Sequence, residues 1–155
     1  MDIKELKKQY DVLARKHNLP SFIELNENFE IDKIEKDTDC LLRLIRKVMM
    51  EKIINSLSFL ELLLNPVNTS RMYLSYARSL SVEDRKTIEE IYNALGNISL
   101  ISLDLEIDYS GAKEAEMIKK IAASWQAQKI RFRKIMANMK KPNNLSAKKE
   151  KSYFG

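Results

Sequence analysis

Glycine and proline are scarce, with three of each in 155 residues. These residues shape tight turns and hairpins, so their scarcity argues against an all-β architecture of many short strands. A P-loop or a dinucleotide fingerprint needs glycines at several fixed positions, which Gly96, Gly111 and Gly155 cannot supply. A lone cysteine, Cys40, cannot form an intramolecular disulfide, which argues against a secreted, cross-linked scaffold. With one histidine, His17, it also falls short of a zinc site within one chain, and the Glu-x-x-His pairs of di-iron bundles are missing.

Long apolar runs are lacking too. The longest, residues 53–64, contains Asn55, Ser56, Ser58 and Glu61 and falls short of the ~20 residues needed to span a bilayer. The start of the chain, MDIKELKKQYDVLARKH, has no apolar core of a signal peptide. A cytoplasmic location without a membrane span is the resulting expectation.

What is present favours helices. Hydrophobic residues make up 45% and charged residues 32% of the chain, a balance suited to a folded domain. Ile3, Leu6, Tyr10, Leu13 and Ala14 recur at helical spacing over residues 2–17, and Asn18 and Pro20 end that segment. Ser21 with Glu24 forms a capping box for a short helix through Phe29. A broad apolar stripe over residues 31–64 predicts a long core helix, with the charged run 35–39 as a candidate interruption and Asn65-Pro66 as its stop. A shorter helix is expected over 68–80. Ser81 and Asp84 cap another that carries Ile88, Ile91, Tyr92 and Leu95.

Residues 103–109 alternate apolar and polar like a strand, yet no second strand exists to pair with them, and they are assigned to helix. The last helix carries Ile118, Ile121, Ala122, Trp125, Phe132, Ile135, Met136 and Met139 on one face and stops at Pro142. The expectation is an all-α, up-down bundle of about four major helices plus one or two short ones over residues 1–141, followed by a flexible basic tail over 142–155.

The charge is uneven. Net charges over residues 1–30, 31–64, 65–111 and 112–155 are −1, 0, −3 and +9 respectively. The surplus therefore belongs to the last helix and the tail. Lys129, Arg131, Arg133, Lys134, Lys140 and Lys141, extended by Lys148, Lys149 and Lys151, are the candidate anion-binding residues. Such a cluster neutralises phosphates with counterion release or meets an acidic protein surface. Its bland alternative is a solvated helix face. Trp125 and Phe132, one heptad apart on the apolar side, are expected in the core, whereas Tyr153 and Phe154 end the tail with no core to join.

Other constellations are weaker. The run Asp104, Glu106, Asp108 resembles a calcium loop, but counting Asp104 as position one puts Tyr109 where glycine is required and Ala115 where glutamate is required. Cys40 reads as a small core residue and His17 as a cation at a helix C-terminus. Glu61, set among leucines, needs a partner such as Arg71 or Arg78 if buried.

The segment KHNLPSFIELNENFEIDKIE, residues 16–35, is similar to a stretch of small, uncharacterised archaeal all-helical proteins. That resemblance implies a helical fold and no activity. The sequence thus points to a non-enzymatic helical module, without cofactor or metal, that engages an anionic partner, nucleic acid first, through its basic end. A protein-interaction or homo-oligomerisation module, motivated by the apolar excess of residues 53–64, is the alternative.

Overall fold

A computed structural model describes residues 2–35 and 39–140. These form six α-helices: α1 (Ile3–His17), α2 (Phe22–Phe29), α3 (Leu41–Leu64), α4 (Arg71–Ser79), α5 (Val82–Asp104) and α6 (Gly111–Met139). There is no strand among the described residues. Helices α1, α3, α5 and α6 have 15, 24, 23 and 29 residues, while α2 and α4 have 8 and 9. The all-α class and the division into four long and two short helices agree with the sequence.

Serine side chains cap three of the helices. Ser21, Ser81 and Ser110 each accept a hydrogen bond from an amide three residues on, at 3.2, 3.0 and 3.4 Å, satisfying a donor that has no partner within the helix. Asn18 (φ 52°) and Glu30 (φ 56°) end α1 and α2 in the left-handed region, closing them onto Ala14 O and Asn26 O. Asn26 Oδ1 accepts from the Asp32 amide at 2.9 Å and fixes the turn that follows. Tyr10, fully buried, donates from its hydroxyl to Pro20 O at 2.6 Å and packs edge-on against Phe22, tying α1 to α2.

Two boundaries differ from the sequence reading. The expected helix over 31–64 begins only at Leu41. Ile31 opens a single 3-10 turn ending at Lys33, and Ile34 is extended, so these two buried isoleucines reach the core from a turn and only mimic a helical stripe. Conversely, α5 runs through Gly96 and stops at Asp104, so the alternating stretch 103–109 is one helix end followed by a turn. Leu105 alone of its apolar residues is deeply buried, while Leu103 and Ile107 are exposed.

Three long helices pack on one another, α3 with α5 and α6, and α4 covers α3. Their directions follow from side-chain contacts. Asn138 near the end of α6 bonds Asp84 at the start of α5, so those two helices are antiparallel. Arg46 near the start of α3 meets Ser102 at the end of α5 and Glu114 at the start of α6, which makes α3 antiparallel to α5 and parallel to α6.

A buried ion pair clasps one end of this bundle. Arg46 (2% exposed) donates from Nε to Glu114 (0% exposed) at 2.5 Å, from Nη1 to Ser102 Oγ at 2.7 Å and from Nη2 to Glu106 at 2.6 Å. The second oxygen of Glu114 accepts from Arg43 Nε at 3.1 Å, and Arg43 Nη2 reaches Leu105 O at 3.0 Å while its guanidinium lies 5.0 Å from the Tyr109 ring. Burial disfavours the charged guanidinium of Arg46, but the carboxylates outweigh it and hold its pKa above the ordinary arginine value.

Residues 53–64, the apolar run behind the oligomer reading, are largely used inside one chain: Ile53, Leu60 and Leu63 are buried and Leu57, Phe59 and Leu64 pack against the core. Ile54 is exposed, as are Leu100, Leu103 and Ile107 on α5 and the turn after it.

Three outcomes are expected. A Cβ at Gly96 meets no atom within 4 Å, so Gly96→Ala gains about 0.5–1 kcal/mol in chemical unfolding, by lowering the chain entropy lost in a helix interior. Glu114→Leu leaves a buried guanidinium short of its carboxylate and costs about 3–5 kcal/mol, much of which Arg46→Met added to it restores; strictly additive losses in urea denaturation would show that the two are not coupled. Hydrogen bonding to Arg46, against a smaller opposing effect of burial, and to Lys47 holds the Glu106 carboxyl below the usual carboxylate range. Its contribution to stability is therefore complete above the ordinary carboxylate pKa and lost as pH falls through the lowered folded value, so Glu106→Gln flattens the acid limb of stability against pH.

Candidate anion-binding groove

The C-terminal half of α6 carries Lys129, Arg131, Arg133 and Lys134, and Lys140 follows its last turn. At about 100° per residue, Lys129, Arg133 and Lys140 share one side and Arg131 and Lys134 another. Arg131 is spent on Glu90 of α5 and Gln128. Lys134 and Lys140 are exposed. Lys141, Lys148, Lys149 and Lys151 lie outside the described residues, as do Tyr153 and Phe154. The basic helix is therefore divided between two sides, and only one of them meets a recess in the protein.

That recess lies where α2 sits against α3 and α6. Asn28, near the end of α2 and 5% exposed, organises it. Its side-chain amide donates to Glu24 O at 2.8 Å, its Oδ1 accepts from Lys129 Nζ at 2.7 Å, and its backbone carbonyl accepts from Lys52 Nζ of α3. The Lys52 ammonium also lies 5.2 Å from the centroid of Trp125 and 6.0 Å from that of Phe29. Arg133, one turn beyond Lys129, and Phe132 complete a pocket of about 200 Å³, with Glu27 at its edge. Lys52 and Phe132 are shared with an adjoining groove of about 480 Å³, whose walls include Phe29, Phe59, Glu30, Lys33 and Met136.

Three cations thus face one small pocket. Among the described residues Lys52, Lys129 and Arg133 form no ion pair with a carboxylate, whereas Lys33 is paired with Glu30 and Lys119 with Glu116. Burial lowers the pKa of Lys52, Glu30 partly opposes this, and repulsion from Lys129 and Lys33 adds to it. The charged form of Lys52 is thus disfavoured where it sits. Trp125, buried at 8% exposure, lines the same pocket, and its indole Nε1–H finds no acceptor among the described residues. An unpaired buried donor of this kind costs about 1–3 kcal/mol.

The remaining candidates have structural roles or none visible. Glu61 is half-buried and pairs with neither Arg71 nor Arg78: it accepts from Tyr92 and from Asn65 Nδ2 at 2.9 Å, which hold its carboxyl below the usual range against a small effect of burial. Cys40 is not a core residue but half-buried at the entrance to α3, and His17 is the last residue of α1. Glu106 is committed to Arg46 and Lys47, and no group of three or more His, Cys, Asp or Glu able to hold a metal is found among the described residues. No helix among them is long and apolar enough to cross a membrane.

Sequence reasoning missed Lys52 and Asn28, the two residues that turn a charged helix into a pocket. Lys52 lies between Met49 and Ile53 and four residues after Val48, inside the apolar register of α3, and a cation there is a legible signal. Asn28 carries no such mark, because its role depends on where α2 docks. Comparison with known proteins finds no matching family model, no matching curated protein and no matching solved structure.

Proposed function

We propose that this protein is a non-enzymatic helical binding module that engages nucleic acid through the basic C-terminal half of α6. The observation that carries this reading is the convergence of Lys52, Lys129 and Arg133, without carboxylate partners among the described residues, beside the half-buried rings of Phe132 and, in the adjoining groove, Phe59. Cations neutralise phosphates and release their counterions, and aromatic faces stack on bases. An acidic protein surface satisfies the charge but makes no particular use of the rings. Charge and rings together favour nucleic acid over a purely electrostatic partner.

Fluorescence anisotropy with labelled RNA and DNA oligonucleotides tests this. Binding is expected at low salt and weakens as salt rises, and replacing Lys129 and Arg133 together by glutamate reduces affinity by at least tenfold. Absence of binding at low salt, or an affinity indifferent to salt, overturns the proposal.

A further inference from the structure

The recess suits one strand and not a duplex. We propose, building on the nucleic-acid reading above, that the Lys52–Lys129–Arg133 pocket holds one phosphodiester of a single-stranded nucleic acid while the neighbouring base stacks in the groove lined by Phe132 and Phe59.

Size and charge both lead there. A pocket of about 200 Å³ opening beside a groove of about 480 Å³ has room for a phosphate and, next to it, a nucleobase. Duplex phosphates lie on the outside of a rigid cylinder with the bases stacked within, so a duplex presents no free base to the rings. A single strand offers both groups to the same recess.

The two ends of the recess differ electrostatically. Around the smaller pocket, three cations face Glu27 alone. Around the larger groove Glu30 and Glu51 balance Lys33 and Lys52. The positive surplus is therefore confined to the pocket, and a phosphate seats there in preference to the groove. Within the groove Phe59 and Phe132 lie with centroids 6.1 Å apart and both are only half-buried, so part of each ring borders the groove.

The confinement also limits how many phosphates are held. Arg131 is neutralised by Glu90 on the other side of α6, and carboxylates at Glu27, Glu30 and Glu51 interrupt any longer track. One phosphate is contacted, which for a single strand gives log affinity against log salt a slope of about −0.7. Affinity then falls about threefold between 50 and 200 mM salt.

The protein contains one tryptophan, and it lines the pocket, so its emission reports occupancy directly. The full chain is titrated with an eight-nucleotide single strand, with the matching duplex and with vesicles containing phosphatidylserine, following Trp125 fluorescence and, in parallel, the anisotropy of the labelled oligonucleotides. The expected result is a saturable change on adding the strand, binding at least tenfold weaker for the duplex, and a tenfold or greater loss for both Lys52→Met and Arg133→Ala. Lys134→Ala, outside the pocket, changes affinity by less than threefold. Arg133 is exposed, so its variant keeps the fold even where Lys52→Met does not.

Equal affinity for strand and duplex, equal losses for Arg133→Ala and Lys134→Ala, strand binding that leaves Trp125 emission unchanged, or a response to vesicles and not to the strand each overturns the pocket assignment. The first three outcomes leave nucleic-acid binding standing. Absence of any nucleic-acid binding by anisotropy removes that reading as well.

Discussion

The buried pair between Arg46 and Glu114 is the interaction on which the arrangement of the long helices depends. Apolar contacts among α3, α5 and α6 supply most of the driving force, but such contacts are non-directional, and a helix that slides by one turn still buries leucines and isoleucines. A guanidinium cannot slide in that way. Displaced by a turn, Arg46 leaves Glu114, Ser102 and Glu106 together, and both charges stay in the interior without partners. The penalty for an uncompensated buried charge exceeds what most single apolar contacts contribute. The pair therefore sets the register of three helices at once, and with it the position of every residue farther along α3 and α6.

Register matters most farther along these helices. Lys52 lies six positions after Arg46 on α3, and Lys129 fifteen positions after Glu114 on α6. At 1.5 Å per residue these positions lie about 9 and 22 Å from the clasp, and the two long side chains close that offset on Asn28 of α2, one at its backbone carbonyl and the other at its Oδ1. The same pair of helices thus carries neutralised charge at the clasp and un-neutralised charge farther along. The first kind holds the structure together, and the second is available to a ligand on a rigid framework.

The sequence revealed the helices well and their charges poorly. Ser21 and Ser81 marked helix starts, Asn18 and Asn65-Pro66 marked stops, and the 3.6-residue periodicity marked the buried faces, because each of these signals is local. The 3-10 turn after Glu30 escaped notice because Ile31 and Ile34 sit at helical spacing without being in a helix. Glu61 is conspicuous among leucines, yet it is only half-buried. Glu114 passed unremarked, yet with Ile118, Ile121 and Trp125 it follows the i, i+4, i+7, i+11 series of a core stripe, as Arg46 does with Leu42, Met49 and Ile53. Opposite charges in the core registers of two different helices are a readable hint of an internal pair. The basic surplus was legible as a number. Its division between two sides of α6 follows from helical spacing, and Lys52 stands out in the apolar register of α3, but their convergence on one pocket depends on tertiary docking and has no local trace.

Helix α2 is too short to be stable alone, since eight residues repay little of the cost of nucleating a helix. Its order is borrowed from Phe22, Leu25 and Phe29 in the core and from the grip of two ammonium groups on Asn28. Those ammonium groups are also the ones an anion would court. Each has three donors, so an incoming phosphate either shares them with Asn28 or draws them away from it, and in both cases the local opening of α2 and the occupancy of the pocket are coupled by a single free energy. The smallest helices of such a protein are then its adjustable parts, with amide exchange in α2 slowing or quickening as the neighbouring recess fills.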